Sequence, residues 1–519
     1  MPVRMPVIRA LVAVAALASV CQPACAGLLA DAAERGDAGA VRDLLKSRAN
    51  PDDPGHDGTP ALHWAVFRQD GDMTRRLLAA GARPDLANRY GTKPLHLAIV
   101  NGDEALAQAL LKAGADPASV DGSGDSCLVM AIKTGNLAVV RLLLAAGAPA
   151  DAADKAFGQT PLMVAARLGN VEVARLLLAK KANVDAQTRR GAVPAFRLPS
   201  SNAGSKGAGI VRGGWPERGE RDAVPGAKTP LLFAAREGHL ELVQLLVEAG
   251  ASLEKADADA VTPLLMAVLN GRFQVAKYLL GKGANVKAAD WYGQTPLFAA
   301  VDYRNLDVPG PTRDNGVDRD AALDLVKAIL DHKPDVNART KESLPQRRWI
   351  TRLGSLSWVD FTGQTAFLRA ALAGDVTVMR LLLEQGADAK LATYGGTTPL
   401  MAAAGINWTV SQTFDEGPDA LLEAVKLAHA QGNDVNAENS MGLRAIHGAA
   451  NRGADDVIRF LVEKGAQTGT PDKEGRTPIT WAQGVFLATH PPETKPSTVA
   501  LLTEIQGRRT QTHPQGVKQ

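Results

Sequence analysis

Along residues 228–256 (KTPLLFAAREGHLELVQLLVEAGASLEKA) the apolar positions fall into two helical groups separated by Gly238. Thr229 and Pro230 open the first group, since a threonine oxygen caps orphan amides and proline is tolerated in a first helical turn. Residues 231–235 form its apolar face. The second group spans about residues 240–248, where Leu242, Val243, Leu245, Leu246 and Val247 leave only Glu241, Gln244 and Glu248 polar. Gly250 supplies the left-handed residue that stops it. A helix this apolar needs neighbours on more than one side, and one pair of short helices cannot provide them.

The neighbours are copies of the same unit. Thr229 is followed by Thr262 and Thr295 at steps of 33 residues, each standing before a proline and a leucine. The chain is therefore a tandem array. Its motif, G-x-T-P-L-h-x-A and then a helix ending L-L-x-x-G-A, resembles the ankyrin repeat over nearly all of the chain after the N-terminus. The resemblance implies an all-α solenoid of stacked helix-turn-helix units with hairpin loops. It also implies that hairpins and inner helices form a concave face for a protein partner.

Further opening motifs extend the array in both directions. A first block, residues 27–187, begins with a unit lacking the motif, as expected of a terminal repeat with one face in water. It continues through Thr59-Pro60, Lys93-Pro94, Ser126-Cys127 and Thr160-Pro161. A middle block covers residues 228–338, and a last block, residues 361–506, opens at Thr365, Thr398, Arg444 and Thr477. One cap and eleven opening motifs predict about twelve units. Residues 507–519 are polar and read as a disordered tail.

Two inserts separate the blocks, at residues 188–227 and 339–360. They have no helical or strand period and replace hairpin tips. Their net charges are +4 and +3. Two other inserts, at residues 305–320 and 409–418, lengthen the loops between paired helices instead.

Residues 1–26 read as an export signal. Arg4 and Arg9 precede an apolar core, and Ala24-Cys25-Ala26 is an A-x-A cleavage site. The expected location is periplasmic or secreted after cleavage following Ala26, with anchoring through an uncleaved or lipidated N-terminus as the alternative. The apolar run is short for a permanent span. Removing the leader lowers the formal charge from +3 to +1, which gives no overall case for nucleic acid or membrane binding. It also leaves Cys127 as the one cysteine, so no internal disulfide is expected.

Candidate chemistry is sparse. The chain has no H-E-x-x-H, C-x-x-C or G-x-S-x-G motif. Cys127 reads as a buried core thiol, and His63, His96 and His447 follow the repeat without gathering into a metal site. No catalytic residue, cofactor or metal is expected.

The remaining candidates are aromatic and basic residues near the two hairpin inserts: Arg212, Trp215, Trp291, Tyr292, Arg347, Arg348, Trp349 and Trp358. Arg and Trp often dominate binding energy at interfaces. Trp349 and Trp358 fit equally well as anchors that fold their own loop onto the array. The expected function is an exported, non-catalytic, monomeric scaffold whose partner offers an acidic or extended segment. Two alternatives stay open: a secreted effector engaging a host protein, and an enzyme or small-ligand binder built from the insert loops.

Overall fold

The computed structural model describes residues 27–191, 226–306, 317–341, 359–360, 362–408, 413–414, 416–485, 487 and 492–512. The chain forms two compact units. Met1–Ala192 with Gln244–Ala251 makes the first, and Val193–Val243 with Ser252–Gln519 the second. Among the described residues the regular structure is helical, with isolated bridges at Pro54–Pro60, Val120–Ser126 and Leu306–Thr413.

Five helix pairs lie in the first unit: Leu28–Arg35 with Ala38–Lys46, Ala61–Phe67 with Gly71–Ala79, Pro94–Val100 with Glu104–Lys112, Cys127–Lys133 with Leu137–Ala145, and Pro161–Leu168 with Val171–Ala179. A sixth pair, Pro230–Glu237 with Leu240–Glu248, contains residues of both units. The second unit continues with Pro263–Leu269 and Phe273–Gly281, Pro296–Arg304 and Arg319–Asp331, and Ala366–Ala373 and Val376–Glu384. Pro399–Ala403 with Pro418–Ala430, Ala445–Arg452 with Asp455–Glu463, and Pro478–Gly484 with Pro496–Thr512 complete it. Among the described residues the twelve pairs match the count of about twelve expected from the repeat.

The repeated threonine acts as expected. Thr229, Thr262, Thr295 and Thr365 each accept the amide three residues on, at 3.2–3.3 Å. The outer helices have their own caps, including Asp37, Asp70, Asp103, Asn136 and Asp375. Each cap satisfies a donor that the helix itself leaves open. At the hairpin tips a buried Asp or Asn does the same for the turn, as where Asp290 accepts the Gln294 amide at 2.8 Å. Neighbouring tips are joined through backbone: the Trp291 amide donates to Asp259 O at 2.9 Å, and the Tyr394 amide to Thr362 O at 2.8 Å.

Small residues let the inner helices sit close together. A side chain at Gly448 would come within 2.7 Å of the Ile406 backbone nitrogen. The core is accordingly Ala- and Leu-rich, with Phe298, Phe367 and Trp481 as its bulkiest fully buried members.

The inner helix that opens at Thr295 runs to Arg304, where its sisters have a left-handed glycine, Gly238 (φ 88°) and Gly374 (φ 74°). One boundary differs from the sequence reading. The last helix continues to Thr512, so the stretch read as a tail from residue 507 is helical for six residues. Polar residues there read as unstructured. An end helix keeps one face in water, however, and its register is held by Gln506 Nε2 donating to Thr468 O at 2.8 Å and by the Glu504–Arg508 ion pair.

Candidate functional site

Of the eight residues singled out by sequence, the structure describes Trp291 and Tyr292. Arg212, Trp215, Arg347, Arg348, Trp349 and Trp358 lie outside the described residues. Trp291 is 38% exposed at its hairpin tip, with its ring edge-on to Tyr292 at 5.0 Å between centroids. The Tyr292 carbonyl accepts the Lys341 amide at 2.8 Å. The base of the 339–360 insert is closed by Thr340, whose amide donates to Gln364 O at 3.0 Å and whose carbonyl accepts the Gly363 amide at 2.9 Å. That insert therefore leaves from a hairpin tip. Beside it Tyr394 is exposed, with the Arg339 guanidinium 4.3 Å above its ring. Burial, reinforced by Asp259 and Asp257 nearby, pushes the turn-holding Asp290 carboxyl up to about 6.

The inner helices carry a second row that sequence reasoning missed. Its two positions lie four and seven residues after the helix cap, Trp64 and Phe67 after Pro60 and Leu97 and Val100 after Lys93. The row recurs every 33 residues as Asp31, Trp64, Leu97, Met130 and as Glu34, Phe67, Val100, Lys133. Phe67 is 57% and Val100 59% exposed, while Trp64 and Leu97 are half-buried. Trp64 and Phe67 meet edge to face at 5.9 Å. Asn101 Nδ2 donates to Val66 O and Phe67 O at 3.3 Å, tying the two neighbouring helices side by side. Two adjacent helices thus present a contiguous apolar strip. Its signal was the 33-residue recurrence of apolar residues at positions that the core does not need.

Corresponding positions in the second unit are largely covered. At the fourth position after the opening threonine, Phe233, Met266, Ala299 and Arg369 are buried, and at the seventh Asp302 is buried opposite Arg369. Arg369 Nε donates to Asp302 Oδ1 at 2.7 Å and its Nη2 to Asn305 O at 2.8 Å. Arg304 Nε reaches Asp375 Oδ2 at 2.8 Å, where Asn305 Nδ2 also donates at 3.2 Å. Asp375 Oδ1 meanwhile caps the helix Val376–Glu384 through the Val378 amide. Arg319 pairs with Glu416, lies 3.9 Å from the Phe414 ring centroid, and donates to Arg304 O at 2.8 Å. The ends of the 305–320 and 409–418 inserts are zipped together by the Phe414 amide on Asn305 O at 3.1 Å.

A buried ion pair is stable only when its remaining hydrogen-bonding groups are met as well, and this lattice meets most of them from backbone carbonyls and a helix cap. Trp408 covers the following step. It packs on Leu368, Leu372 and Ala402, with Arg452 at 4.5 Å from its ring. A cleft of about 340 Å³ beside it is lined by Trp408, Pro418, Leu421 and residues 452–457, which include no Ser, Cys or His.

The histidines do structural work. The Nδ1 atoms of His96 and His447 accept the amides of Lys93 and Arg444 at 3.1 and 3.0 Å. Their Nε2 atoms reach Ser119 Oγ at 3.1 Å and Thr470 O at 3.2 Å. Burial holds both imidazoles down to about 4, and His63 is lowered for the same reason. Cys127 lies 3.3 Å from Ser119 Oγ, and burial raises its thiol to about 11. A thiol held that high is not a nucleophile at neutral pH.

Among the described residues the one close group of metal-type ligands is Asp31, Glu34 and His56, whose ligand atoms lie within 4.8 Å of one another. No described helix is long and apolar enough to cross a membrane.

Comparison with known proteins agrees with this geometry. The family model described as ankyrin repeats (3 copies) matches residues 29–121, 116–188, 231–308 and 417–484, more than half of the chain. Human ankyrin repeat domain-containing protein 63 is 32% identical over 125 residues, 23% of this chain and 30% of that protein. The mouse B-cell lymphoma 3 protein homolog is 38% identical over 121 residues, 23% of this chain and 24% of that protein. The chain thus spans less than a third of the length of these curated relatives. The crystal structure of the ankyrin repeat domain of Bcl-3 is 27% identical, with a TM-score of 0.37, over 46% of this chain and 93% of that domain. With its period, its capped helix pairs and a family match over most of its length, the chain belongs to the ankyrin repeat family.

Proposed function

We propose that this chain is an exported, non-catalytic scaffold that binds another protein on its inner-helix and hairpin-tip face. The observation that carries the reading is the strip Trp64, Phe67, Leu97 and Val100, with Phe67 and Val100 exposed in the first unit, while Phe233, Met266, Asp302 and Arg369 at corresponding positions in the second are buried. Exposed apolar side chains gathered in one place mark interaction surfaces. Exposed aromatic residues also stand at hairpin tips within each unit, Tyr90 and Phe157 in the first and, separately, Trp291 and Tyr394 in the second. Buried, neutral histidines and a buried thiol leave no activated nucleophile among the residues weighed for chemistry, which favours binding over catalysis. Export rests on the leader at residues 1–26, and periplasmic retention would favour a cell-envelope partner over a host protein.

The test is affinity capture by the tagged full chain from its own cell envelope, with fractionation of the same cells. A defined partner should be captured by wild type and reduced at least tenfold by Val100→Asp, a change at an exposed position that leaves the melting curve in place. Equal capture by both forms would remove the strip from the binding face. A cytoplasmic location would remove export.

A further inference from the structure

The strip has an asymmetric frame. One step before Trp64 and Phe67 the same two positions hold Asp31 and Glu34, whose carboxylate oxygens lie within 4.8 Å of one another and of the His56 ring. One step beyond Leu97 and Val100 they hold Met130, which is buried, and Lys133, which is exposed and paired with Asp125. Along the row the order is two acids, two apolar pairs, then a base.

Asp31 keeps a third of its side chain in solvent and stands 3.5 Å from His56 Nδ1, and Glu34 is half-buried beside it. A cation docked on the exposed side of this pair relieves the repulsion between two close carboxylates.

We propose that this face takes the apolar side of an amphipathic helix from another protein, with an arginine or lysine of that helix seated between Asp31 and Glu34. The proposal rests on the protein-binding reading above and names its partner's chemistry. Adjacent packed helices stand roughly 8–10 Å apart. At 1.5 Å per residue a helix lying along the row covers one step in roughly five to seven residues, and of these spacings seven returns it to the same face. The partner therefore carries a basic residue at i, an apolar residue over Trp64 and Phe67 at i+7, and another over Leu97 and Val100 at i+14. Charge fixes which end of the row takes the base, because the opposite placement brings it to Lys133; for a helix of the other polarity the base stands at i+14 and the apolar residues at i and i+7.

A display library of 21-residue helical peptides, randomised along one face and selected on the full chain, tests this. Selected peptides are expected to carry Arg or Lys at one end of the pattern, with apolar side chains seven and fourteen residues from it. Phe67→Asp should weaken them about 30-fold or more. Glu34→Lys should weaken them about tenfold, and exchanging the peptide's basic residue for glutamate should restore binding to that variant. Both residues are at the surface, and unchanged thermal melting of each variant shows that the fold is kept. Peptides lacking the pattern, or bound equally well by Phe67→Asp, would overturn the proposal while leaving the chain a protein binder. Failure to select any helical peptide would overturn it too, and envelope capture then decides separately whether the chain binds proteins at all.

Discussion

Arg369→Ala is expected to destabilise the second unit by about 3–5 kcal/mol, the range for removing one partner of a buried ion pair. Arg369 and Asp302 are 7% and 13% exposed at their side chains and 2.7 Å apart. Truncating the arginine leaves the Asp302 carboxylate buried beside Asn305, and it also removes the hydrogen bond to the Asn305 carbonyl that helps dock the two inter-helix inserts. The midpoint of urea unfolding, followed by a probe in the second unit, measures the loss. Replacing both residues with apolar ones, Arg369→Met with Asp302→Leu, should recover most of it. A buried pair gains little over a well-packed apolar isostere, and the sister positions of Arg369 already hold Phe233 and Met266. A double variant as unstable as the single one would show that the lattice does more than balance charge.

Acid exposes the second large effect. His96 and His447 sit at about 4 in the folded chain against an ordinary 6.5, because burial disfavours the imidazolium. Their folded pKa is lowered, so the unfolded chain binds protons first as pH falls. Stability is lost between about 6.5 and 4 and levels off below that, by roughly 3 kcal/mol for each residue. Asp290 acts in the opposite sense, since its raised carboxyl takes up a proton in the folded chain near 6 and adds stability as pH falls toward 3.8. The histidine contribution is therefore read as a difference. Wild type minus His96→Asn/His447→Asn, measured by urea unfolding at pH 7 and pH 4.5, should show the wild type losing several kcal/mol more on acidification. Parallel pH profiles would refute the assignment.

Most of the fold was legible because each unit repeats its own start and stop signals. Thr229, Thr262 and Thr295 cap where a threonine before proline should, and Asp and Asn caps open the outer helices. The lattice was less legible. Arg369 and Asp302 read locally as surface charges on short helices, and they stand at different repeat positions, four residues after Thr365 and seven after Thr295, so the period does not pair them. Arg304 likewise looks like an ordinary helix-end cation until Asp375, seventy-one residues on, is brought to it.

The candidate site was legible in part. Trp291 stood out as an aromatic at a hairpin tip, and it is exposed there. Phe67 and Val100 were hidden in plain apolar runs. A short amphipathic helix assigns such residues to the core, and their exposure depends on how neighbouring helices stack. The basic inserts drew attention to the middle block, but the open strip lies in the first unit, where no insert marks it.

The central claim is that this strip is where a partner sits. Photo-crosslinking tests it most directly, with a benzophenone side chain placed in the cell at position 67 or 100 and, for comparison, at position 233 or 402. The account predicts a discrete protein adduct from positions 67 and 100 and none from 233 and 402, which are buried. Adducts confined to the second unit, with none from 67 or 100 in a chain that still captures its partner, would contradict it.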